Sequence, residues 1–211
     1  DHAVLQRKGF LLVDSGATYM DGTTDITRTY PLGELTEDER LFYTWTLQCH
    51  IDIAKAIWLD YCDCHMLDTI AREPLWRHLI NYRCGTGHSV SFVGNVHEGP
   101  HALNGRNTTL MRPGMIVTDE PGVYETDLVG IRIENELVCV HKADNQYGTF
   151  LGFEPIMFVP IATSPIVPGV LTKDELDWLN NYHRQVFEKL APRLNDEERE
   201  WLAKKCAAIG C

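Results

Sequence analysis

Carboxylates stand inside segments of this chain that otherwise predict β-strands. Asp14 follows the apolar run over residues 10–13, and Asp25 lies in a run of β-branched and hydroxylated residues. Asp is disfavoured in strand interiors, and like charges that face each other across a ladder destabilise it. Asp21 and Gly22 supply turn chemistry between the two segments, so we expect a hairpin that brings Asp14 and Asp25 nearly opposite each other. Such a hairpin needs a raised carboxyl pKa, a bound cation or solvent exposure to offset the repulsion.

The same combination recurs further along the chain. Asp119 and Glu120 close a strand predicted over residues 115–119, and residues 131–137 alternate between apolar and charged side chains. The apolar members of the second strand are Ile131, Ile133 and Leu137, and the charged members are Arg132, Glu134 and Glu136. Two interpretations stay open: a solvated sheet face with alternating charge, or carboxylates gathered around metal.

The remaining patterns predict helices interleaved with strands. Thr36 and Glu39 form a capping-box pattern whose helix should run to about Cys62, and residues 67–75 carry a second helical stripe. We also expect strands over residues 26–32 and 153–161, loops and short strands over 84–114, and helices that follow the capping boxes at Thr172 and Asn195. An α+β domain with a largely antiparallel sheet accounts for this order of elements.

Charge and cysteine content argue against several classes of protein. The chain has 211 residues, with 19 Lys and Arg against 30 Asp and Glu, a net charge of −11. Without a basic cluster, this balance argues against a nucleic acid or an anionic membrane surface as partner. The seven cysteines are odd in number and irregularly spaced, which favours a reduced, intracellular protein. Cys62, Cys64 and His65 could bind zinc, but the second cysteine pair is missing, so buried thiols are the better interpretation.

Histidines near a glycine-rich segment add nitrogen ligands to the carboxylates. Gly85 and Gly87 precede His88 and allow the backbone to approach a site closely, and His97 and His101 follow nearby. One histidine with four carboxylates is a hard, oxygen-rich set that suits Mn²⁺, Fe²⁺, Co²⁺ or Zn²⁺. Two such ions about 3.5–4 Å apart form a hydrolytic site. These residues therefore support a dinuclear metal hydrolase as one hypothesis.

Five motifs follow one another along the chain. They are Asp14-Ser-Gly-Ala-Thr-Tyr-Met-Asp-Gly-Thr-Thr-Asp25-Ile-Thr-Arg-Thr, Gly85-Thr-Gly-His88, Asn95-Val-His97-Glu-Gly-Pro, Val117-Thr-Asp-Glu120-Pro-Gly and Gly130-Ile-Arg-Ile-Glu134-Asn. With the tail Leu171-Thr-x-x-Glu-Leu-Asp-Trp-Leu-Asn-Asn-Tyr-His, they resemble aminopeptidase P. That family is the Xaa-Pro aminopeptidase branch of the methionine aminopeptidase, prolidase and creatinase superfamily. The resemblance covers nearly the whole chain, from about Phe10 to the final helix.

The resemblance implies a fold and a metal site. The fold would be the pita-bread α+β domain with a curved, mainly antiparallel sheet. Residues 1–170 would form the catalytic domain, and residues 171–211 would be its C-terminal helical extension. The metal ligands would be Asp14, Asp25, His88, Glu120 and Glu134. Asp25 and Glu134 would bridge two divalent ions, of which Mn²⁺ is usual in this family and Zn²⁺, Co²⁺ or Fe²⁺ are alternatives.

The resemblance also implies a reaction. A metal-bridging hydroxide would hydrolyse the peptide bond between an N-terminal residue and a following proline. Glu120 would shuttle the proton beside the metal-held His88, and His97 would stabilise the substrate and the tetrahedral intermediate. Arg132 would orient Glu134. Cys84 stands where the family usually has a substrate-pocket histidine, so we expect a remodelled pocket.

Several expectations about the whole protein follow from the same resemblance. The family has a further stretch before these motifs, so we expect a chain truncated at its N-terminus and a homodimer in the cytoplasm. Its partners would be peptides with proline at the second position, with no nucleic acid and no membrane. One alternative is prolidase, which cuts Xaa-Pro dipeptides with the same five ligands. Another is a non-catalytic peptide- or protein-binding relative, which Cys84 and the absent N-terminal stretch favour and the full ligand set disfavours.

Overall fold

A computed structural model describes residues 4–210, in which short strands alternate with four α-helices. The strands are β1 (Phe10–Tyr19), β2 (Gly22–Pro31), β3 (Ile57–Leu59), β4 (Gly87–His88), β5 (Ala102–Leu103), β6 (Ile116–Asp119), β7 (Gly122–Glu125), β8 (Val129–Arg132), β9 (Asn135–Asn145) and β10 (Gly148–Pro155). The helices are α1 (Glu37–Ala54), α2 (Cys64–Trp76), α3 (Lys173–Leu190) and α4 (Asp196–Lys205), with a 3₁₀ turn at Ala191–Arg193. The α+β prediction is confirmed.

Every strand pair in the four sheets is antiparallel. The largest sheet has the order β3-β10-β9-β6, and β1 with β2, β4 with β5 and β7 with β8 form two-stranded ladders. The first ladder is the predicted hairpin, because Tyr19 pairs with Gly22 and leaves a two-residue turn at residues 20–21. Gly22 has φ +146°, a conformation that residues with a side chain rarely adopt.

The predicted helix starts are confirmed. Thr36, Thr172 and Asn195 each accept a hydrogen bond from the backbone N–H three residues on, and the glutamate at that position bonds back to the cap. Asp and Glu also occupy the first turn of each of these helices, where their negative charge interacts favourably with the positive end of the helix dipole and stabilises the helix.

The predicted end of the first helix was wrong. Helix α1 ends at Ala54 rather than near Cys62, because residues 57–59 pair with β10 as strand β3. That pairing buries Trp58 against Phe153, with ring centroids 4.5 Å apart. Burial of these aromatic rings outweighs the helical pattern of the segment.

Two other strand predictions also need correction. The run over residues 153–161 is strand only as far as Pro155, where β10 ends. Residues 131–137 are divided between β8 and β9, since Glu134 leaves the ladder and its N–H donates to the carbonyl of Thr27 in β2, at 3.1 Å. This break turns Glu134 towards the first hairpin.

Two cores flank α1. On one side Leu47 and Ile51 pack with Leu179 and Tyr182 of α3. On the other side the end of the helix packs with residues of α2, β9 and β10, which include Leu67, Leu137 and Phe153. The chain from residue 4 to residue 210 contains no helix that combines the length and the apolar character needed to cross a membrane.

Candidate metal centre

The hairpin places the first two carboxylates diagonally rather than directly opposite each other. In the β1–β2 ladder Asp14 pairs with Thr27, and Asp25 pairs with Gly16. The two carboxylates nevertheless belong to one group of potential ligand atoms, all within 4.8 Å of one another. Asp14 is exposed, whereas Asp25 is only 9 % exposed. The two carboxylates that the sequence predicted to lie near each other are therefore close in space.

The third carboxylate, Glu134, is the most buried of the candidate ligands. Its residue is 1 % exposed, and its Oε2 accepts a hydrogen bond from the Thr27 hydroxyl at 2.6 Å. Its Oε1 is also buried, and no residue between 4 and 210 donates a hydrogen bond to it. Burial, followed by the nearby charge of Glu120, raises the pKa of Glu134 to about 8. A divalent cation at Oε1 would satisfy this unpartnered oxygen and allow the carboxyl to ionise.

His88 joins two of the carboxylates. Its Nε2 lies 3.3 Å from Asp25 Oδ2 and 3.2 Å from Glu120 Oε1. Burial alone would lower the pKa of His88, but the hydrogen bond to Asp25 and the charge of Glu120 reverse the shift and raise it. Burial raises the pKa of Glu120 as well.

The backbone around His88 fixes these positions. The Thr118 hydroxyl accepts from the N–H of His88 and donates to Glu120 Oε1, both at 2.9 Å. The N–H of Glu120 donates to the carbonyl of Thr86 at 2.7 Å. A Cβ atom on Gly87 would lie 1.8 Å from the carbonyl oxygen of Thr118, so this close approach of β4 to β6 requires glycine.

All five sequence-predicted ligands thus lie in one cluster. Three overlapping groups have their donor atoms within 4.8 Å of one another; these are Asp14 with Asp25 and Glu134, His88 with Glu120 and Glu134, and Asp25 with His88 and His97. Four carboxylates and one or two imidazoles form a hard donor set. Such a set suits two hard divalent cations, whereas soft metals prefer thiolate ligands. The donor chemistry and the unpartnered Glu134 oxygen agree with metal binding.

The solvated-face interpretation is wrong for most of these carboxylates. Asp25, Asp119, Glu134 and Glu136 are all buried, and only Asp14 projects into solvent. Asp119 lies beside His50, whose Nδ1 is 2.9 Å from Asp119 Oδ2, and burial raises the pKa of Asp119 to about 6.

His97 and Arg132 border the cluster. The rings of His97 and His88 lie 3.7 Å apart between centroids. Arg132 forms an ion pair with Asp14, and its Nε lies 3.8 Å from Glu120 and 3.9 Å from Glu134. The closer link between Arg132 and Glu134 runs through Thr27, because Arg132 Nε donates to the Thr27 hydroxyl at 2.9 Å.

The predicted cysteine positions separate into two environments. Cys84 is solvent-exposed, and its thiol lies 3.6 Å from the carbonyl of Gly122, where partial enclosure raises the thiol pKa. Cys64 is buried in the core and Cys62 packs against it, as the buried-thiol interpretation predicts. Six cysteines are free thiols, and Cys211 lies outside the described residues.

Sequence reasoning missed several residues that support the cluster. Thr27 and Thr118 hold Glu134 and Glu120, and the hydroxyl of Tyr124 accepts from Arg132 Nη1 at 2.6 Å. Arg28 donates to the carbonyls of Thr27, at 2.9 Å, and Glu134. Their position in the sequence could have indicated them, because each lies within four residues of a predicted ligand on a strand.

Comparison with known proteins finds relatives that agree with one another: a metallopeptidase family and aminopeptidases P. Residues 1–141 match the model of metallopeptidase family M24, and residues 149–209 match the C-terminal region of peptidase M24. The chain is 44 % identical over 206 residues to aminopeptidase P1 of Lotus japonicus, with 94 % of this chain and 31 % of that protein covered. It is 45 % identical over 198 residues to aminopeptidase P2 of Arabidopsis thaliana, covering 90 % of this chain and 28 % of that protein.

Solved structures agree with these matches. An X-prolyl aminopeptidase from Caenorhabditis elegans, described as a cytosolic enzyme with a di-nuclear active site, superposes with a TM-score of 0.87 and 38 % identity, covering 94 % of this chain and 33 % of that one. A prolidase from Pyrococcus furiosus gives a TM-score of 0.59 at 28 % identity, covering 70 % of this chain and 41 % of that one. The predicted pita-bread fold is confirmed. The chain spans about a third of the length of the aminopeptidase relatives it matches.

Proposed function

The chain belongs to metallopeptidase family M24, and from that premise we propose that it carries the catalytic centre of a dinuclear-metal Xaa-Pro aminopeptidase. The observation that carries the proposal is the convergence of Asp14, Asp25, His88, Glu120 and Glu134, with one buried Glu134 oxygen that no described residue satisfies. These five residues would hold the two cations. The chemistry that two divalent cations supply in such a site is acidification of a water molecule and polarisation of a carbonyl oxygen.

Glu120 is suited to moving the proton. Burial raises the pKa of Glu120 and so makes this carboxylate a stronger base, whose Oε2 can take a proton from water and pass it to the leaving proline nitrogen. The other oxygen, Oε1, accepts from the Thr118 hydroxyl at 2.9 Å and is thereby held in place.

His97 and Arg132 position the substrate and the carboxylates. His97 lies against His88 at the edge of the cluster, where an N–H can donate to the oxygen of a tetrahedral intermediate. Arg132 orients Glu134 through the Thr27 hydroxyl and neutralises Asp14. Cys84 lies at the same loop as His88 and would line the substrate pocket with a small thiol.

We propose Mn²⁺ as the metal, with Zn²⁺, Co²⁺ and Fe²⁺ as competitors, because carboxylate oxygens outnumber imidazole nitrogens in the donor set. The substrates would be peptides with proline at the second position, and the protein would act as a homodimer in the cytoplasm. The similarity to an X-prolyl aminopeptidase described as a cytosolic enzyme supports the substrate class and the location, and the homodimer rests on the family resemblance alone. We also propose residues 1–170 as the catalytic domain and 171–211 as its extension, since α3 shares a core with α1.

Metal analysis and peptide cleavage test the proposed function together. We expect about two Mn²⁺ ions per chain and cleavage of an Xaa-Pro-Ala tripeptide at the Xaa–Pro bond. Glu120→Gln removes the proton acceptor and should lower kcat by at least about 100-fold, with the fold retained. Glu125→Gln, at an exposed position of β7, is the matched control and should keep full activity.

Three outcomes would redirect the proposal. Cleavage confined to Xaa-Pro dipeptides would make the protein a prolidase. Metal bound without cleavage of either substrate would favour the non-catalytic peptide-binding alternative. Less than about a tenth of a metal ion per chain would contradict a metal-dependent function of this chain.

A further inference from the structure

A cavity adjoins the candidate metal centre. It has a volume of about 730 Å³ and lies between the tip of the β1–β2 hairpin and the segments around Phe92 and Ile156. Glu136 forms part of its lining, and Glu136 Oε1 accepts a hydrogen bond from the N–H of Asp25 at 2.6 Å. The cavity therefore lies directly beside a predicted metal ligand.

The polar groups that line this cavity include two buried acceptors with spare capacity. Glu136 is 3 % exposed, and the single hydrogen bond of its side chain within residues 4–210 uses Oε1, which leaves Oε2 free to accept. His101 is 8 % exposed and its Nε2 donates to the carbonyl of Ile116 at 2.7 Å, while its Nδ1 is buried without a partner among the described residues. In a neutral imidazole that second nitrogen is an acceptor.

The charges around the cavity are of one sign. Asp21 and Glu136 line it, and the described residues of the lining include neither lysine nor arginine. A buried carboxylate without a cation partner is costly, and a ligand that brings positive charge and N–H donors would relieve that cost.

The apolar part of the lining fits a long side chain. Ile116, Ile156 and Met157 form part of the wall, and the exposed rings of Tyr19 and Phe92 stand at the rim. Methylene groups pack on such a wall, and a guanidinium group also stacks on aromatic rings.

We propose that this cavity is a specificity subsite for a cationic side chain, that of arginine or lysine, on the first residue of the peptide substrate. The assignment to the first residue rests on the proposed function, because proline would occupy the second position and has no long side chain to place. Glu136 receives the guanidinium or ammonium group and acts as the specificity-determining residue.

Equilibrium binding tests the subsite independently of cleavage. Argininamide and citrullinamide have nearly the same shape and differ in charge, so their dissociation constants are compared by NMR titration on the chain with and without Mn²⁺. We expect argininamide to bind at least about tenfold more tightly, as a charge-assisted hydrogen bond in a buried site provides. Glu136→Gln keeps an acceptor for the Asp25 N–H and should reduce the difference to within about twofold.

Glu154→Gln is the matched control, because Glu154 is an exposed carboxylate of β10 that pairs with Lys142. This variant should keep the full preference. Equal binding of the two amides, or a preference that persists in Glu136→Gln, would overturn the subsite.

Cleavage of Arg-Pro-Ala against citrulline-Pro-Ala then separates the two proposals. A charge preference in amide binding without any cleavage would leave the subsite standing and reject the aminopeptidase. Cleavage of both peptides at equal rates, together with equal binding of the two amides, would support the aminopeptidase and reject the subsite.

Discussion

At the scale of single residues, Glu134 links metal binding to stability. Burial raises the pKa of Glu134 to about 8. Burial is also the main reason why the pKa of Glu136 is raised to about 7. In the unfolded chain both side chains would titrate near their ordinary value of about 4.3. Between these limits the folded state binds more protons than the unfolded state, so the free energy of unfolding must fall as pH rises.

We therefore predict that the free energy of unfolding of the metal-free protein falls between about pH 5 and pH 8, by up to about 1.4 kcal/mol per pH unit for each carboxyl that is still protonated in the folded state. Urea denaturation at several pH values measures this slope. Glu134→Gln cannot ionise at this position and should make the slope shallower, leaving the contribution of Glu136, and saturating Mn²⁺ should reduce the loss in the parent chain. A metal-free protein that gains stability over this pH range would contradict the prediction.

Cys84 provides a second prediction at this scale. Partial enclosure raises the pKa of its thiol, so at neutral pH it is protonated, whereas metals bind the thiolate. Cys84→Ala should leave Mn²⁺ affinity within about twofold of the parent in isothermal titration calorimetry. His88→Ala is the comparison and should weaken it at least about 100-fold. A tenfold change in Cys84→Ala would place the thiol at the metal after all.

The sequence predicted which candidate ligands lie together, but it did not predict their burial. Strand alternation predicted one continuous strand with Arg132, Glu134 and Glu136 on the side opposite Ile131 and Ile133, but the strand breaks at residues 133–134. Alternation is equally typical of a half-solvated sheet. Glu134 is buried because it contacts the β1–β2 hairpin, where the Thr27 hydroxyl donates a hydrogen bond to it. Thr27 lies 107 residues earlier in the chain, so a pattern of neighbouring residues cannot predict this contact.

At the scale of elements, the approach of β4 to β6 sets the position of His88. A Cβ on Gly87 would meet the Thr118 carbonyl at 1.8 Å, so Gly87→Ala must push the strands apart. We predict a loss of stability of about 3 kcal/mol or more and a fall in Mn²⁺ affinity of at least tenfold.

Gly85→Ala is the control for this prediction. Its Cβ would meet the Leu103 carbonyl at 3.5 Å, an ordinary contact in the same loop. Thermal denaturation and calorimetry on both variants measure the two effects. Equal behaviour of the two variants would contradict a special role for the close approach at Gly87.

Element boundaries were predictable where local chemistry sets them. The three capping boxes each satisfy backbone N–H groups within a single turn, so sequence suffices to place the starts of α1, α3 and α4. The end of α1 and the end of β10 depend on distant partners. Strand β3 forms because Trp58 packs on Phe153, and the segment after Pro155 leaves the sheet to supply carbonyls to Arg28.

At the scale of the whole molecule, one buried cation connects the candidate metal centre to helix α3. The Arg28 side chain is 3 % exposed and donates to acceptors from four parts of the chain. These acceptors are Thr27 O, Glu134 O, Asn135 Oδ1, Val159 O, Pro160 O and the Tyr182 hydroxyl. Arg28 thereby fixes the backbone of Glu134 relative to α3.

This arrangement predicts that Arg28 acts on both stability and metal affinity. Arg28→Lys keeps the charge but cannot reproduce the planar fork of donors, so several buried carbonyls lose their partner. We expect a loss of about 2–4 kcal/mol in urea denaturation and a tenfold or greater loss of Mn²⁺ affinity, because the Glu134 backbone is no longer held.

Arg40→Lys separates the two effects. Arg40 also donates to backbone carbonyls of the segment before α3, those of Pro165 at 3.2 Å and Ile166 at 2.8 Å, but it touches none of the predicted ligands. That variant should lose stability and keep Mn²⁺ affinity within about twofold. If Arg28→Lys behaved in the same way, Arg28 would serve only to hold the fold together, and the link between α3 and the candidate metal centre would be rejected.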